Sequence, residues 1–216
     1  IVLVGDSLGM VVLGFPDTTH VTLDHMLHHV EATARGVKNA LLVGDMPIHS
    51  YDTVEQAVQS AKKLFLAGAD AVKLEGGAAQ AGNIRAIVEA GISVVGHIGL
   101  LPQKVLEEGG YKIKGKSSAE EEALVRDVEA VAEAGACAVV VEGVTPHAAR
   151  QVTVHSSIPT LGIGSGSHTC DGDVVVIHDL VGAFPWFIPA FVKPRADVAG
   201  SMTAAVKEWM EDCYTE

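Results

Sequence analysis

The chain has 216 residues, 48% of them apolar and 19% charged, a size that suits one α/β core. Its 15 basic and 27 acidic residues leave a formal charge of −12, which repels phosphate backbones and anionic membranes, so neither nucleic acid nor membrane is an expected partner. No apolar stretch approaches the ~18 residues of a membrane span, and Cys137, Cys170 and Cys213, widely spaced and without C-x-x-C, support neither a disulfide framework nor a zinc knuckle.

The chain opens on Ile1-Val2-Leu3-Val4-Gly5, a strand already under way. Runs rich in Val, Ile and Leu follow at 40–43, 71–74, 93–96, 137–141, 159–163 and 174–177. They do not alternate polar with apolar, as expected of parallel strands covered on both faces. Helices are predicted between them. One runs from Thr22 to about Gly36, and Thr53-Val-Glu-Gln56 has the form of a capping box opening a second, with Val54, Ala57, Val58, Ala61, Leu64 and Phe65 at helical spacing. Residues 83–89 read as a third, and Ser118-Ala-Glu-Glu121 opens a fourth carrying Leu124, Val128 and Val131 to Gly135. This β-α order predicts a doubly wound sheet or a (β/α)8 TIM barrel. Seven strands are one short of a barrel. With no linker or composition break, residues 1–216 are read as a single (β/α) barrel domain lacking its first β-α unit, about 30 residues expected before Ile1. Seven strands with a gap between first and last are expected.

Polar residues gather at the strand ends. The first ends in Val-Gly-Asp6-Ser7 and the second in Val-Gly-Asp45; the third carries Lys73-Leu-Glu75, the fourth ends in Gly96-His97 and the fifth in Val141-Glu142. Residues two apart on a strand face one side, so Lys73 and Glu75 point together. Ligands of α/β folds bind beyond the carboxyl ends of strands. Any one acid there is as readily a helix cap, but five strands in succession point to a site. Three carboxylates without Cys suit Mg²⁺ over Zn²⁺ and leave room for a 2-oxo acid. His97 faces the mouth, touching substrate or orienting an acid from behind.

Other features read more plainly. His25, His28 and His29 share one helix face, without H-E-x-x-H, and suit solvent or an interface better than a metal. Gly162-Ile-Gly-Ser-Gly166 lacks the remainder of a dinucleotide fingerprint and points to close backbone packing. The loop 109–116 brings Lys112, Lys114 and Lys116 into an acidic protein and reads equally as a lid over an anionic co-substrate or as ordinary surface.

Six segments then resemble one family: V-G-D-S-L-G-M (4–10), V-K-L-E-G-G (72–77), G-H-I-G-L-x-P-Q (96–103), G-G-Y-K (109–112), I-P-T-L-G-I-G-S-G (158–166) and V-I-H-D (176–179) are similar to ketopantoate hydroxymethyltransferases. The resemblance covers nearly the whole chain in order. It implies a Mg²⁺-dependent (β/α)8 barrel of the phosphoenolpyruvate/pyruvate superfamily. Such enzymes transfer a hydroxymethyl group from 5,10-methylenetetrahydrofolate to 3-methyl-2-oxobutanoate through a Mg²⁺-stabilised enolate, giving 2-dehydropantoate for pantothenate and coenzyme A. Residue by residue, it implies Asp6, Asp45 and Glu75 as metal ligands, Asp6, Ser7, Asp45 and Lys73 as substrate contacts and Glu142 as catalytic base. It further implies a homo-oligomer, commonly a decamer, in the cytoplasm, or in mitochondria of a eukaryote. The acids persist where the motifs depart from the family's, in Gly44-Asp-Met-Pro-Ile48 and Glu142-Gly-Val-Thr-Pro146. Two other readings stay open: a folate-independent Mg²⁺-dependent 2-oxo-acid lyase or aldolase, and a non-catalytic barrel.

Overall fold

A computed structural model describes residues 1–214. Its strands are β1 (Val2–Val4), β2 (Leu42–Asp45), β3 (Ala71–Lys73), β4 (Ser93–Gly99), β5 (Ala138–Glu142), β6 (Thr160–Ile163) and β7 (Gly172–Asp173). They form one sheet in chain order with every neighbouring pair parallel. The helices are α1 (Leu8–Val11), α2 (Leu23–Gly36), α3 (Val54–Leu66), α4 (Ala81–Glu89), α5 (Val105–Glu108), α6 (Ser118–Glu133), α7 (Pro146–His155), α8 (Ile177–Leu180) and α9 (Val198–Tyr214). Among the described residues β1 and β7 are the two edges of a seven-stranded, incomplete barrel, as expected. No described helix is long and apolar enough to cross a membrane.

The chain falls into two compact units, Ile1–Asp173 and Val174–Glu216. The first holds the whole sheet. In the second, Arg195, Val198 and Ala199 donate backbone hydrogen bonds to Leu180, Val181 and Gly182, and α9 exposes Met202, Val206, Trp209 and Met210.

Strand parity explains the layers. Leu42, Val72, Leu74, Val94, Ile98, Val139 and Val141 join Val30, Leu64, Ile84, Ile87, Val128, Val131 and Val152 in the core between sheet and helices. Residues of the other parity, Val43, Ala71, Val95 and Val140, form a second cluster with Leu3, Leu161 and Ile163 against it. Side chains from six strands meet in that cluster, so the sheet curls around it.

Several predicted boundaries move. The segment 174–177 is not a strand: β7 pairs at Gly172 with Leu161 and at Asp173 with Gly162. Gly164, at φ 64°, follows the last residue of β6, and Ile177 opens α8. No helix lies between β6 and β7, which departs from strict β-α alternation. The cap of α6 is Ser117, one residue before the predicted Ser118, and its side chain accepts from the Glu120 N–H. Thr53 does cap α3, but Gln56 reaches past it to the Asp52 N–H and the His49 carbonyl. The reciprocal capping box sits instead on α2, between Thr22 and His25.

Helices press closely on glycines of the outer face. A Cβ at Gly96 would stand 2.4 Å from Val131 Cγ1. Gly96→Ala is therefore expected to cost about 1–3 kcal/mol by overpacking, measured by urea unfolding. Val131→Ala should shrink that penalty in a double-mutant cycle, whereas strictly additive losses would mean that this contact is not the cause.

Candidate active site

The inward parity that packs Val43, Ala71, Val95 and Val140 below carries Asp45, Lys73, His97 and Glu142 two residues further along the same strands, with Glu75 just past β3. All lie at the carboxyl ends. Register brings Asp45 opposite Lys73 and Gly99 opposite Glu142. Asp6, Asp45, Lys73, Glu75 and His97 are all buried, and the Glu142 side chain stays 22% exposed at the rim. None of the acids is merely a cap, since Thr53 and Thr145 cap α3 and α7.

Lys73 is the hub. Its Nζ lies 3.0 Å from Asp45 Oδ2, 3.1 Å from His97 Nδ1 and 3.7 Å from Glu75 Oε1. An ammonium only donates, so His97 Nδ1 accepts; the ring proton is then on Nε2, which donates to the Leu100 carbonyl at 3.0 Å. Glu142 Oε2 lies 3.4 Å from that same Nε2. Burial, with the Lys73 charge, holds the His97 pKa well below its ordinary value, so the ring is neutral.

The carboxylates are pushed the other way. Burial raises Asp6, and Glu75 well above the usual range, against the attraction of Lys73. Burial lifts Asp45 to about 7 and Glu142 to about 7. For Lys73 itself, burial favours the neutral amine, but Asp45, Glu75 and Asp6 outweigh it and keep the ammonium charged.

Two residues without a predicted role complete the site. Gln103 donates from its backbone N–H to Glu75 Oε2 at 3.1 Å, and from Nε2 to Asp6 Oδ2 at 2.8 Å and the Met46 carbonyl at 3.0 Å. The buried Tyr51 hydroxyl donates to Gln103 Oε1 at 2.5 Å. Gln103 closes the P-Q segment after the fourth strand, a hint that chemistry is near; Tyr51, in the loop after β2, carries no such signal. The Asp6 N–H donates to Asp45 Oδ2 at 3.1 Å, tying β1 to β2.

The oxygen donors suit a hard cation. Asp45 Oδ1 and Glu75 Oε1 are buried without a hydrogen-bond partner, the only carboxylate oxygens so placed among the described residues. Asp6, Asp45 and Glu75 do converge, yet among the described residues no three His, Cys, Asp or Glu side chains are spaced to hold a metal as they stand. Mg²⁺ needs only one or two protein carboxylates, with water and substrate supplying the rest, and the two unpartnered oxygens meet that requirement. Ser7 follows Asp6 as the first residue of the turn into α1, half-buried, its side chain making no capping bond.

The remaining candidates stay outside this cluster. His25 Nδ1 accepts from the Thr22 N–H, and His28 and His29 pack edge to face. A Cβ at Gly162 would meet Asp173 and Cys170 at 3.2 and 3.3 Å, which is the close packing expected there. In the loop 109–116, Lys112 and Lys114 both turn back onto Glu108, and Lys114 docks by backbone bonds to Gly143 and Thr145. Tyr111 reaches toward Met10.

An open (β/α) barrel with acids, a lysine and a neutral histidine at its carboxyl mouth is the framework of an enzyme. The same fold is seen in 2,3-dimethylmalate lyase, a member of the PEP mutase/isocitrate lyase superfamily, with a TM-score of 0.59 over 97% of this chain and 72% of that one at 17% identity. It is also seen in phosphoenolpyruvate phosphomutase from Streptomyces platensis subsp. rosaceus, with a TM-score of 0.59 over 82% and 70% at 19% identity. Sequence similarity is far more specific. The family model for ketopantoate hydroxymethyltransferase matches residues 1–216. The chain is 48% identical over 213 residues to the 3-methyl-2-oxobutanoate hydroxymethyltransferase of Moorella thermoacetica, covering 98% of this chain and 79% of that protein. It is 48% identical over 212 residues to the enzyme of the same name from Ignicoccus hospitalis, covering 98% and 80%. The chain belongs to the ketopantoate hydroxymethyltransferase family and is a transferase.

Removing the hub cation isolates buried charge. Lys73→Met is expected to lose about 3–5 kcal/mol at pH 8, measured by urea unfolding in the presence of a chelator. Buried carboxylates whose folded pKa values exceed the unfolded ~4 bind more protons in the native state, so stability falls as pH rises from about 4 toward 7. The variant should accordingly recover part of its loss at pH 5; a loss independent of pH would refute this account.

Proposed function

We propose that this chain transfers a hydroxymethyl group from 5,10-methylenetetrahydrofolate to 3-methyl-2-oxobutanoate, with Mg²⁺, giving 2-dehydropantoate and tetrahydrofolate. Family membership supports the reaction, and the position of Glu142 carries the mechanism. Among the site's carboxylates Glu142 stands at the rim, with a pKa raised by burial to about 7, where a base is both ionised and proton-seeking at neutral pH.

In this reading the Glu142 carboxylate removes the proton from C3 of the 2-oxo acid. The electron pair left on carbon becomes the enolate, which forms the new C–C bond to the folate's one-carbon unit. Water supplies the oxygen of the hydroxymethyl group as the folate nitrogen leaves with a proton. Lys73, held charged by Asp45 and Glu75, faces the negative charge that develops on substrate oxygen. Neutral His97 stands with its Nε2 3.4 Å from Glu142 Oε2 while the N–H on that nitrogen serves the Leu100 carbonyl. Ser7 and the backbone beside Asp6 contact the substrate carboxylate. Asp6, Asp45 and Glu75 are the residues that would hold Mg²⁺, which supplies polarisation of the keto group when bound.

Glu142→Gln is expected to lower exchange of the C3 hydrogen with solvent deuterium by about 10²–10⁴-fold while 2-oxo-acid binding persists. Wild-type exchange should rise with pH through about 7 as Glu142 ionises amid Asp6, Asp45, Lys73 and His97. Exchange that survives in the variant would remove Glu142 from the mechanism. Product release must also require the folate: turnover that is equally fast without it would favour a lyase or aldolase, and wild type without any exchange would favour a non-catalytic barrel.

A further inference from the structure

We propose that Gln103 is the positioning residue of this site: it binds one oxygen of Glu75 and one of Asp6, aiming the acids at a shared divalent cation, with Tyr51 locking its amide. The inference rests on the divalent-cation reading above and assigns a task to residues that the reaction itself leaves unused.

The argument is one of donors and acceptors. The Gln103 amide has two N–H donors and one carbonyl acceptor, and all are engaged: Nε2 serves Asp6 Oδ2 and the Met46 carbonyl, and Oε1 accepts from Tyr51. Its backbone N–H takes Glu75 Oε2. The amide orientation is thereby fixed, because a flip would set Oε1 against two acceptors, Asp6 Oδ2 and the Met46 carbonyl. A pattern emerges across the acids. Glu75 is tethered by Oε2 and leaves Oε1, 3.7 Å from the Lys73 ammonium, without a hydrogen-bond partner, while Asp45 is tethered by Oδ2, to Lys73 and the Asp6 N–H, and leaves Oδ1 without a hydrogen-bond partner. Each thus has one oxygen fixed and one buried and open to a cation, and a partner that orients a ligand in this way is worth about 10–100-fold in metal affinity. Gln103 supplies neutral donors for this task, so it adds no positive charge to compete with the cation. Its hydrogen bonds also span the segments just after β1, β2 and β3, which no other described side chain does.

The test is the affinity of the full chain for Mn²⁺ alone, followed by electron paramagnetic resonance, in wild type, Gln103→Glu and Tyr51→Phe. Glu has the shape of Gln but presents acceptors where Asp6 and Met46 need donors. Mn²⁺ affinity is expected to fall about 10–100-fold in Gln103→Glu, and several-fold in Tyr51→Phe, which loses only the hydroxyl that fixes the amide. Unchanged or tighter binding in Gln103→Glu overturns the inference while leaving the proposed function intact, since a merely space-filling residue, or an added ligand, gives that result. If Gln103→Glu does not fold, Tyr51→Phe decides alone: wild-type affinity there overturns it. Wild type that binds no Mn²⁺ overturns this inference together with the cation reading.

Discussion

One ammonium ion in a closed space organises this molecule. Lys73 sits under the mouth of the sheet with Asp45 at 3.0 Å and a neutral imidazole at 3.1 Å. A buried ion pair is poor evidence of stability, because desolvating both charges cancels much of their attraction. Here the pair also serves chemistry. Burial raises the proton affinities of Asp6, Asp45, Glu75 and Glu142, the one cation among them offsets only part of that rise, and Asp45 and Glu142 both reach about 7. The same ammonium claims one nitrogen of His97 and so selects its tautomer, whose N–H goes to the Leu100 carbonyl beside Glu142.

The sheet makes that arrangement affordable by dividing labour along each strand. Outward residues are apolar or absent: Gly44 and Gly96 let Val30 and Val131 come within reach of the backbone. Inward residues are apolar at the amino end and ionisable at the carboxyl end. Successive parallel strands in register therefore stack their final residues into one ring, and six strands curl around Leu3, Val43, Ala71, Val95, Val140 and Leu161 beneath it. The charged layer rests on a dry floor, which is why its pKa values shift so far.

Much of this was legible in the residues, for physical reasons. Asp6, Asp45, Lys73, Glu75, His97 and Glu142 each stand on, or just past, an apolar run whose period-two parity fixes the side they face. The core of α6 followed from Leu124, Val128 and Val131 at helical spacing, all three buried. Features that depend on competition among neighbours were not legible. Ser117 and Ser118 are equally good caps until the loop before them sets the backbone of one, and the valines at 174–176 have every propensity of a strand yet join no ladder. The lysines of the 109–116 loop suggested a cationic surface, yet Glu108 lies close enough to engage two of them.

The amino-acid sequence by itself determined the parallel sheet, its order of strand and helix, the identity of the family and the acids and lysine at the mouth, because all of these are written in local periodicity and short motifs. Only the tertiary structure decided how those groups are wired. Gln103 meets Tyr51 across 52 residues and Asp6 across 97. Which oxygen of each acid is tied and which is left open follows from those long-range meetings, and so does the direction of every proton. No local pattern encodes them, since a hydrogen bond is set by where two distant segments of chain come to rest.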